Sequence, residues 1–411
     1  MSETRADKAP SGHVADHTEW IEVMRMQTTY HGTRSTLFWL AVRITVLTAI
    51  TLGIYRFWAK TRLRKYIWSS IAADGDSLEY TGTGLEKFLG FLAAIVILAV
   101  YLGLLQILLF FVGLSVFDAA NTSGQVFLQF GTLALPMLAV VPLIFFAQYR
   151  IHRYRMARTR WRGIRFGAEA AAGGYVWRAL AHWTLTLLTL GLLLPRQTFW
   201  LAKYKADRSW YGDARFVQGG NWRSMYGAMR HVLTGIAITL GAGLCAAVGS
   251  PVLATVGLLV GLVWFAVGLV SYRVRAFAYL TTHRTLEGGV GFETAPRTGW
   301  IVRQMIVGSI VISLLAGMIL GIPGGVVAWL VALDIVPIGL VIVPGVVLYM
   351  VGLALVSSLT LVWIVQPILA HVVTTLTVIN AEALGAIRQR AGDTGADAEG
   401  FADALDVGGA F

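Results

Sequence analysis

The chain has 411 residues, of which 56% are hydrophobic and 13% are charged, and its formal net charge is +11. Charged residues make up about 25% of soluble proteins, so this composition excludes an ordinary soluble domain and indicates a chain surrounded mainly by lipid. The positive charge lies beside long apolar runs. This placement favours topology signals and contacts with anionic lipid over nucleic-acid binding.

Residues 1–27 are polar and mixed in charge, and we interpret them as an N-terminal tail. No apolar core with a cleavage site precedes the first apolar run, so we expect no cleavable signal peptide. A β-prone segment at 28–32 is followed by a threonine-rich apolar run, 37–54, which breaks at Gly53. The basic, aromatic segment 56–68 then favours either a helix at the membrane surface or an ordinary cytoplasmic flank.

The same order of features recurs along the chain. Gly53, Gly191 and Gly321 each follow a leucine near the end of an apolar run. Their spacing far exceeds a solenoid repeat, so we predict three copies of a helical module. Gly324 and Gly325 stand where the third copy would have its basic segment, which makes that copy degenerate. The predicted units are the N-terminal tail 1–27, membrane repeats 28–148 and 149–284, a degenerate repeat 285–380 and a cytoplasmic C-terminal tail 381–411.

Longer apolar runs approach the roughly 20 residues that a membrane-spanning helix needs. They lie at 88–112, 126–147, 232–248, 252–270 and 305–322, with two more between 325 and 365. If the short runs 37–54 and 180–194 also crossed, basic loops would lie on both sides of the membrane, against the positive-inside rule. We therefore expect these two runs to dip into the membrane and return, which leaves the C-terminus cytoplasmic. The sequence does not decide whether 305–322 crosses.

The predicted fold is an all-α polytopic membrane protein with three internal repeats. Each repeat is a short broken or re-entrant helix plus a transmembrane hairpin, with small β pieces on the cytoplasmic side. In the first two modules we expect β-prone pieces to pair, 28–32 with 76–82 and 165–167 with 213–219. A helix is predicted over 366–390. Threonines in the short runs are expected to bond back to helical carbonyls and so support the breaks.

Polar residues inside apolar runs are the candidate functional residues, because they are costly in the bilayer. Arg43 and His182 lie in the short runs, and Asp334 lies among the C-terminal apolar runs. The alternative for Arg43 is a tilted ordinary span from which it reaches the surface. The alternative for Asp334 is a loop between two helices. The candidate lipid-headgroup contacts are Lys60, Arg62, Arg64, Lys65, Arg196, Lys203 and Lys205.

Recognisable catalytic chemistry is missing from the sequence. It has no paired metal-ligand histidines, no P-loop and no nucleophile elbow, so we predict no catalytic residue, metal or cofactor, and no enzyme activity. The single cysteine, Cys245, excludes a disulfide within the chain.

The run 52–55, followed by Trp58-Ala59, Gly75-Asp76 and Tyr80-Thr81-Gly82, resembles the YjgN family, bacterial inner-membrane proteins assigned to a domain of unknown function. The tail 399–406 also looks like the ending of family members. The resemblance extends from about Tyr30 to the C-terminus. It implies a multi-pass protein of the bacterial inner membrane, and it supplies no site residues.

Three functions stay open. The first is a transporter or channel-like permease for a small solute or ion, favoured by broken helices that carry polar residues. The second is a lipid-interacting or membrane-shaping protein, whose partners would be anionic lipids. The third is a scaffold or accessory subunit for another membrane enzyme. The sequence determines neither a solute nor an oligomeric state nor a protein partner.

Overall fold

The computed structural model describes residues 24–112 and 123–390. Strands and helices alternate along the chain: a strand leads into a group of helices, and the next strand leads out of it. The strands are β1 (Arg25–Tyr30), β2 (Ile71–Ala73), β3 (Asp76–Ser77), β4 (Glu79–Tyr80), β5 (Thr159–Trp161), β6 (Ile164–Ala168), β7 (Ser209–Tyr211), β8 (Ala214–Gln218), β9 (Arg284–Leu286), β10 (Val290–Thr294) and β11 (Leu376–Ile379).

The helices form five groups between these strands. They are α1 (Arg34–Ile50) with α2 (Arg56–Ser69), α3 (Gly84–Phe111) with α4 (Ser123–Ala157), α5 (Ala172–Leu188) with α6 (Leu194–Ala206), α7 (Tyr226–Ala247) with α8 (Pro251–Thr282), and α9 (Thr298–Ala316) to α12 (Gln366–Thr374). The last group also contains α10 (Ile322–Ala332), α11 (Ile338–Thr360) and two π-helical segments, Gly317–Gly321 and Leu361–Val365.

The eleven strands form one sheet in the order β3-β2-β1-β11-β10-β9-β8-β7-β6-β5-β4. All the neighbouring strands are antiparallel. The two strands at the ends of this order, β3 and β4, are separated in the chain only by Leu78. The sheet therefore returns on itself as a closed ring, and closure removes the open edges that invite association.

The antiparallel ring puts all five helix groups on one side. Strands that lead into helices run in one direction and strands that lead out run in the other, so every helix group leaves from and returns to the same edge. We call this the helix edge. The opposite edge carries tight turns with positive φ at Asp74-Gly75, Arg162-Gly163 and Gly288-Gly289. The first two are two-residue hairpins, for which two left-handed residues in succession are typical, and the third has one more residue, Glu287.

Within the described residues, six helical stretches are long and apolar enough to cross a membrane. They are Gly84–Phe111, Ala134–Ala157, Trp222–Ala247, Pro251–Thr282, Thr298–Ala332 and Gly339–Thr374. Small residues bring α7 and α8 together: a Cβ on Gly235 would lie 2.6 Å from the backbone of Phe265, and one on Gly268 would lie 2.7 Å from the backbone of Val232. Such close contact is typical of helices that pack in lipid.

The prediction of an all-α fold is correct for the membrane part and wrong for the rest. The small β pieces are parts of one ring that joins all the modules. Segment 28–32 pairs with β2 rather than with 76–82, because β2 lies between β1 and β3. In the second module, β6 likewise pairs with β7, which then pairs with β8. The predicted tails also contribute, since β1 begins at Arg25. Residues 1–23 and 391–411 lie outside the described residues.

Two helix predictions near the C-terminus are wrong. The predicted helix 366–390 ends at Thr374, because β11 follows and fills the gap between β1 and β10. The predicted break at Gly321 is absent: a π segment carries the helix into α10, so 305–322 belongs to the 35-residue apolar stretch Thr298–Ala332. The ladder partners of β11 thus override a local helical pattern.

The ring encloses an apolar core. Leu286, Val290 and Tyr211 are buried inside it, and residues 381–387 cross its mouth opposite the helix edge. Leu384 and Ile387 of this crossing segment are buried in the same core. The segment is tied down where the Arg388 amide donates to Asp213 Oδ1 at 3.0 Å. The C-terminal segment therefore closes the far mouth of the ring.

A cavity of about 340 Å³ lies at the centre of the ring, lined by residues from β1, β2 and every strand from β5 to β11. Its walls are mainly apolar, with Phe216 and Phe292 among them.

We predict that Leu286→Ala lowers the thermal unfolding midpoint of the detergent-solubilised protein by several degrees. Leu286 is 2% exposed in the ring core, and deletions of this kind cost about 2–5 kcal/mol. Fluorescence-monitored melting measures the effect. The matched control is Val217→Ala on the adjacent strand β8, where the side chain is 46% exposed. Equal shifts in the two variants would contradict an apolar core inside the ring.

Candidate functional site

The tips of the short hairpins α1/α2 and α5/α6 have the same backbone conformation. Leu52 and Gly53 have φ values of 49° and 89°, and Leu190 and Gly191 have 48° and 88°. The Gly53 amide donates to the Thr48 carbonyl at 2.7 Å, and the Gly191 amide donates to the Thr186 carbonyl at 2.7 Å. A left-handed residue that returns an amide to the preceding turn is a common helix terminus. Gly53 and Gly191 thus end their helices as predicted.

Threonines complete both tips. Thr51 Oγ1 donates to the Leu47 carbonyl and accepts from the Tyr55 amide, at 2.8 and 2.9 Å. Thr189 Oγ1 donates to the Leu185 carbonyl at 2.8 Å. Further bonds of this type are made by Thr45, Thr48 and Thr186. The predicted bonding of threonines to helical carbonyls is confirmed for these five residues.

Apolar side chains project outward from both hairpins. Leu52 is 94% exposed and Leu190 is 89% exposed, and Trp39 and Trp177 lie exposed nearer the ring. Continuous apolar exposure of this extent does not suit water. Leucine at the tip with tryptophan nearer the ring matches the change from hydrocarbon to headgroup region along a membrane normal.

A cationic pocket opens between α5 and α6 near the ring. It measures about 210 Å³ and is lined by Arg178, His182, Trp200, Lys203, Tyr204, Asp207 and Arg208. We call it the α5/α6 pocket. Arg178 is the seventh residue of α5, which places it about 9 Å along the helix from the ring.

Tyr204 organises the pocket. The guanidinium of Arg208 lies 3.9 Å from the centroid of its ring, and that of Arg178 lies 4.9 Å away. The Tyr204 hydroxyl donates to the Ala171 carbonyl at 2.9 Å, which fixes the start of α5 against α6. Cation–π attraction helps to hold two cations on one aromatic ring.

Positive charge exceeds negative charge in this pocket. Three permanent cations line it beside one carboxylate, that of Asp207. Lys203 Nζ pairs with Asp207 at 3.0 Å and donates to the Gln218 carbonyl at 2.6 Å. Arg208 Nε lies 3.7 Å from a carboxylate oxygen of Glu169, a residue that does not line the pocket. Two half-exposed ion pairs are weak, so the site favours an anion such as a phosphate group.

The three predicted intramembrane residues lie in different places. His182 lines the α5/α6 pocket, whereas Arg43 is an exposed residue of α1 and is not part of that pocket. Asp334 lies exposed in the turn between α10 and α11, with φ of 53°. Of the two alternatives for Asp334, the structure therefore shows the loop. No described pocket brings the three residues together.

The residues predicted to contact lipid headgroups also differ in exposure and position. Arg64 is 2% exposed, and its Nη1 donates to the Tyr80 hydroxyl at 3.1 Å, so it is a structural residue rather than a surface contact. Arg62 and Lys65 are exposed on α2, while Lys60 and Arg196 are half-buried. Lys203 lines the α5/α6 pocket. Lys205 lies on the ring side, where burial first, then Arg284 and Arg155, lower the pKa of its ammonium.

Arg178, Trp200 and Arg208 line the pocket and were missed at the sequence level. A signal for one of them was present: Arg178 and His182 are four residues apart and so share a face of α5. In the described residues, no group of three His, Cys, Asp or Glu side chains could hold a metal ion.

The profile of the family described as bacterial protein of unknown function (DUF898) matches residues 25–404. The chain belongs to this family. The inner membrane protein YjgN of Salmonella typhimurium is 27% identical over 149 residues, which are 36% of this chain and 33% of that protein. The Escherichia coli protein of the same name is 28% identical over 148 residues, which are 36% of this chain and 32% of that protein.

The resemblance to the YjgN family is thereby confirmed, although the match spans only about a third of the curated relatives' length. No solved structure matches the chain. The relatives' names and the six apolar helices support a multi-pass protein of the inner membrane.

We predict that Tyr204 stabilises this DUF898 protein through its ring more than through its hydroxyl. Tyr204→Ala removes a buried aromatic ring, which costs about 3–5 kcal/mol. Tyr204→Phe removes only the bond to Ala171, which costs about 1 kcal/mol. Thermal melting in detergent measures both, with the exposed neighbour Trp200→Ala as control. A larger effect of Tyr204→Phe than of Tyr204→Ala would contradict this role of the ring.

Proposed function

We propose that the protein binds anionic lipids at the cytoplasmic face of the inner membrane. In this proposal the ring lies in the cytoplasm, α1/α2 and α5/α6 are re-entrant hairpins, and the α5/α6 pocket holds a phosphate headgroup. The observation that carries it is the excess of positive charge in a pocket on a hairpin whose tip exposes Leu190 and neighbouring leucines.

The orientation follows from charge. The basic residues of α4 and α6 lie mainly near the helix edge of the ring, and those of α2 extend from Arg56 near the hairpin tip to Lys65 nearer the ring. Basic residues beside membrane spans remain on the cytoplasmic side. A cytoplasmic ring satisfies this rule for all three segments at once. Since β11 runs away from the helix edge, the C-terminus would also be cytoplasmic.

The length and charge of the short hairpins favour re-entry over crossing. The helix α2 has 14 residues and is basic from its first residue, Arg56, only three positions after Gly53. A spanning helix needs about 20 mainly apolar residues. A full crossing would place Arg56 near the far side of the membrane, whereas a shallow dip leaves the basic side chains of α2 near the headgroups.

The matching tips also support the repeats. The first two modules share a strand, a short hairpin with a threonine-capped tip, and a long hairpin. We propose that the third module lost its tip when α9 and α10 became continuous. Where the first two modules continue into a second helical hairpin, the third continues into β11, which pairs with β1.

A permease is the second candidate. Two π segments interrupt the helices of the last group, and π segments are frequent at functional sites. The described residues favour it less, because the cavity beside Gly317–Gly321 is lined mainly by apolar residues such as Ile319, Leu320 and Leu348. No described feature favours a scaffold function over these two.

The first test concerns re-entry. In a Cys245→Ser background, single cysteines replace Leu52 and Leu190 at the short tips, and Ser250 at the tip of α7/α8. Of these three positions, we expect an impermeant thiol reagent added to intact cells to label only the cysteine at 250. Among the three hairpins tested, α7/α8 is the one that would cross the membrane. Labelling at 52 and 190 as strong as at 250 would show that the short hairpins cross.

The second test concerns the pocket. We expect Arg178→Gln to lower the anionic lipid that co-purifies with the protein by about fivefold, because one cation at a membrane surface contributes about 1 kcal/mol. Native mass spectrometry measures the bound lipid. The charge-matched control is Arg165→Gln, an exposed residue of β6 on the ring. Unchanged lipid in Arg178→Gln, or an equal loss in Arg165→Gln, would reject the pocket as the lipid site.

A further inference from the structure

The central cavity of the ring has the form of a ligand site. Its volume of about 340 Å³ lies within the range of roughly 300–1,000 Å³ that small-molecule sites occupy. It runs from Leu384, in the segment that crosses the far mouth, to Phe277 and Thr281 near the end of α8. The cavity therefore extends along the ring axis toward the membrane.

The walls specify an apolar occupant over most of this length. Trp161, Phe166, Tyr211, Phe216 and Phe292 line the cavity. The Tyr211 hydroxyl is already bonded to the Trp161 carbonyl at 3.0 Å, so it is satisfied without a ligand. Apolar cavities do not hold water well. A hydrocarbon chain fits such walls better than a polar solute.

One cation lines the cavity at the helix edge. Arg284 is the first residue of β9, directly after α8, and its Nε donates to Gln218 Oε1 at 3.1 Å. Gln218 is 1% exposed and its Nε2 donates to the Leu280 carbonyl at 2.8 Å, so the guanidinium is held by a fixed partner.

The charge around Arg284 is positive. Burial lowers the pKa of its guanidinium, and Asp207 partly offsets this. Asp207 is already paired with Lys203 at 3.0 Å. Lys205 adds a second cation close enough to act on Arg284. Lys205 does not itself line the cavity, so an anionic group at this end would be attracted mainly by Arg284.

We propose that the ring cavity binds one acyl chain that ends in an anionic group, with the chain among the ring aromatics and the anion at Arg284. The aromatic and aliphatic side chains that line the cavity suit an acyl chain. A free fatty acid and a lysophospholipid share this chemistry. The proposal is independent of the α5/α6 pocket, which is a separate space lined by other residues.

The test uses the full-length protein in nanodiscs of phosphatidylethanolamine and phosphatidylglycerol. A medium-chain fatty acid carrying a photoreactive group on its chain is bound and cross-linked, and labelled peptides are mapped by mass spectrometry. We expect labels on β8 and β10, near Phe216 and Phe292. A lysophospholipid with the same photoreactive chain shows which source enters the ring. Labels confined to the membrane helices with both probes would overturn the proposal.

Two matched variants test the chain site. Ala73 lines the cavity, and Ala73→Phe fills it, so we expect ring labelling to fall at least fivefold at an unchanged melting temperature. Val217→Phe adds the same side chain at a position that does not line the cavity and should leave labelling unchanged. If Ala73→Phe fails to fold, Leu384→Ala enlarges the far end and should raise labelling by a longer chain. Labelling that follows neither change would overturn the proposal.

A third variant tests the anion site. We expect Arg284→Gln to weaken binding of the fatty acid about five- to tenfold and to leave binding of the matching fatty alcohol unchanged. Equal weakening of fatty-acid and fatty-alcohol binding would show that Arg284 does not bind the anionic group. Arg178→Gln should not change ring labelling. The same nanodiscs therefore distinguish failure of the cavity from failure of the lipid-headgroup pocket.

Discussion

The pairing of β1 with β11 is the constraint on which the other features depend. It joins Arg25 to Ile379 and Gln27 to Thr377, residues from opposite ends of the described chain. Once the ring is closed, each helix group has both ends on one edge, so the helices must be arranged as hairpins. An open sheet would expose unpaired edges and would free the helix groups from one another. The membrane architecture is thus imposed by a sheet outside the helices.

The seam of the ring shows what holds it closed. At Leu78 the chain changes partner, from β2 to β5, and Arg162 reaches across to Asp74 and Asp76 at 2.7 and 2.6 Å. The two aspartates are half-exposed, and ion pairs in such places contribute little. The Trp161 side chain is 7% exposed beside this seam and is part of the ring core. Burial of large apolar side chains therefore contributes more to closure than the ion pairs do.

Sequence reasoning succeeded where the cause is local. The tips at Gly53 and Gly191 and their threonine bonds depend on residues within one helical turn. The ring was missed because its strands have two to six residues and their partners are distant in the chain. At Gly321 the same leucine–glycine signal precedes Ile322 and Pro323, and a π segment directly before the proline carries the helix past a residue that has no backbone N–H to donate. For the α5/α6 pocket, two of its lining residues, His182 and Lys203, were predicted, but the pairing of α5 with α6 that completes the pocket was not.

Gln218 connects the two proposed sites physically. Its carbonyl accepts from Lys203 of the α5/α6 pocket, and its side chain accepts from Arg284 of the ring cavity. Because Gln218 is buried and fully engaged, the cations of the two sites are held at a fixed separation. Asp207 pairs with Lys203 at 3.0 Å and also offsets part of the lowering that burial imposes on the pKa of Arg284, so one carboxylate serves a cation of each site.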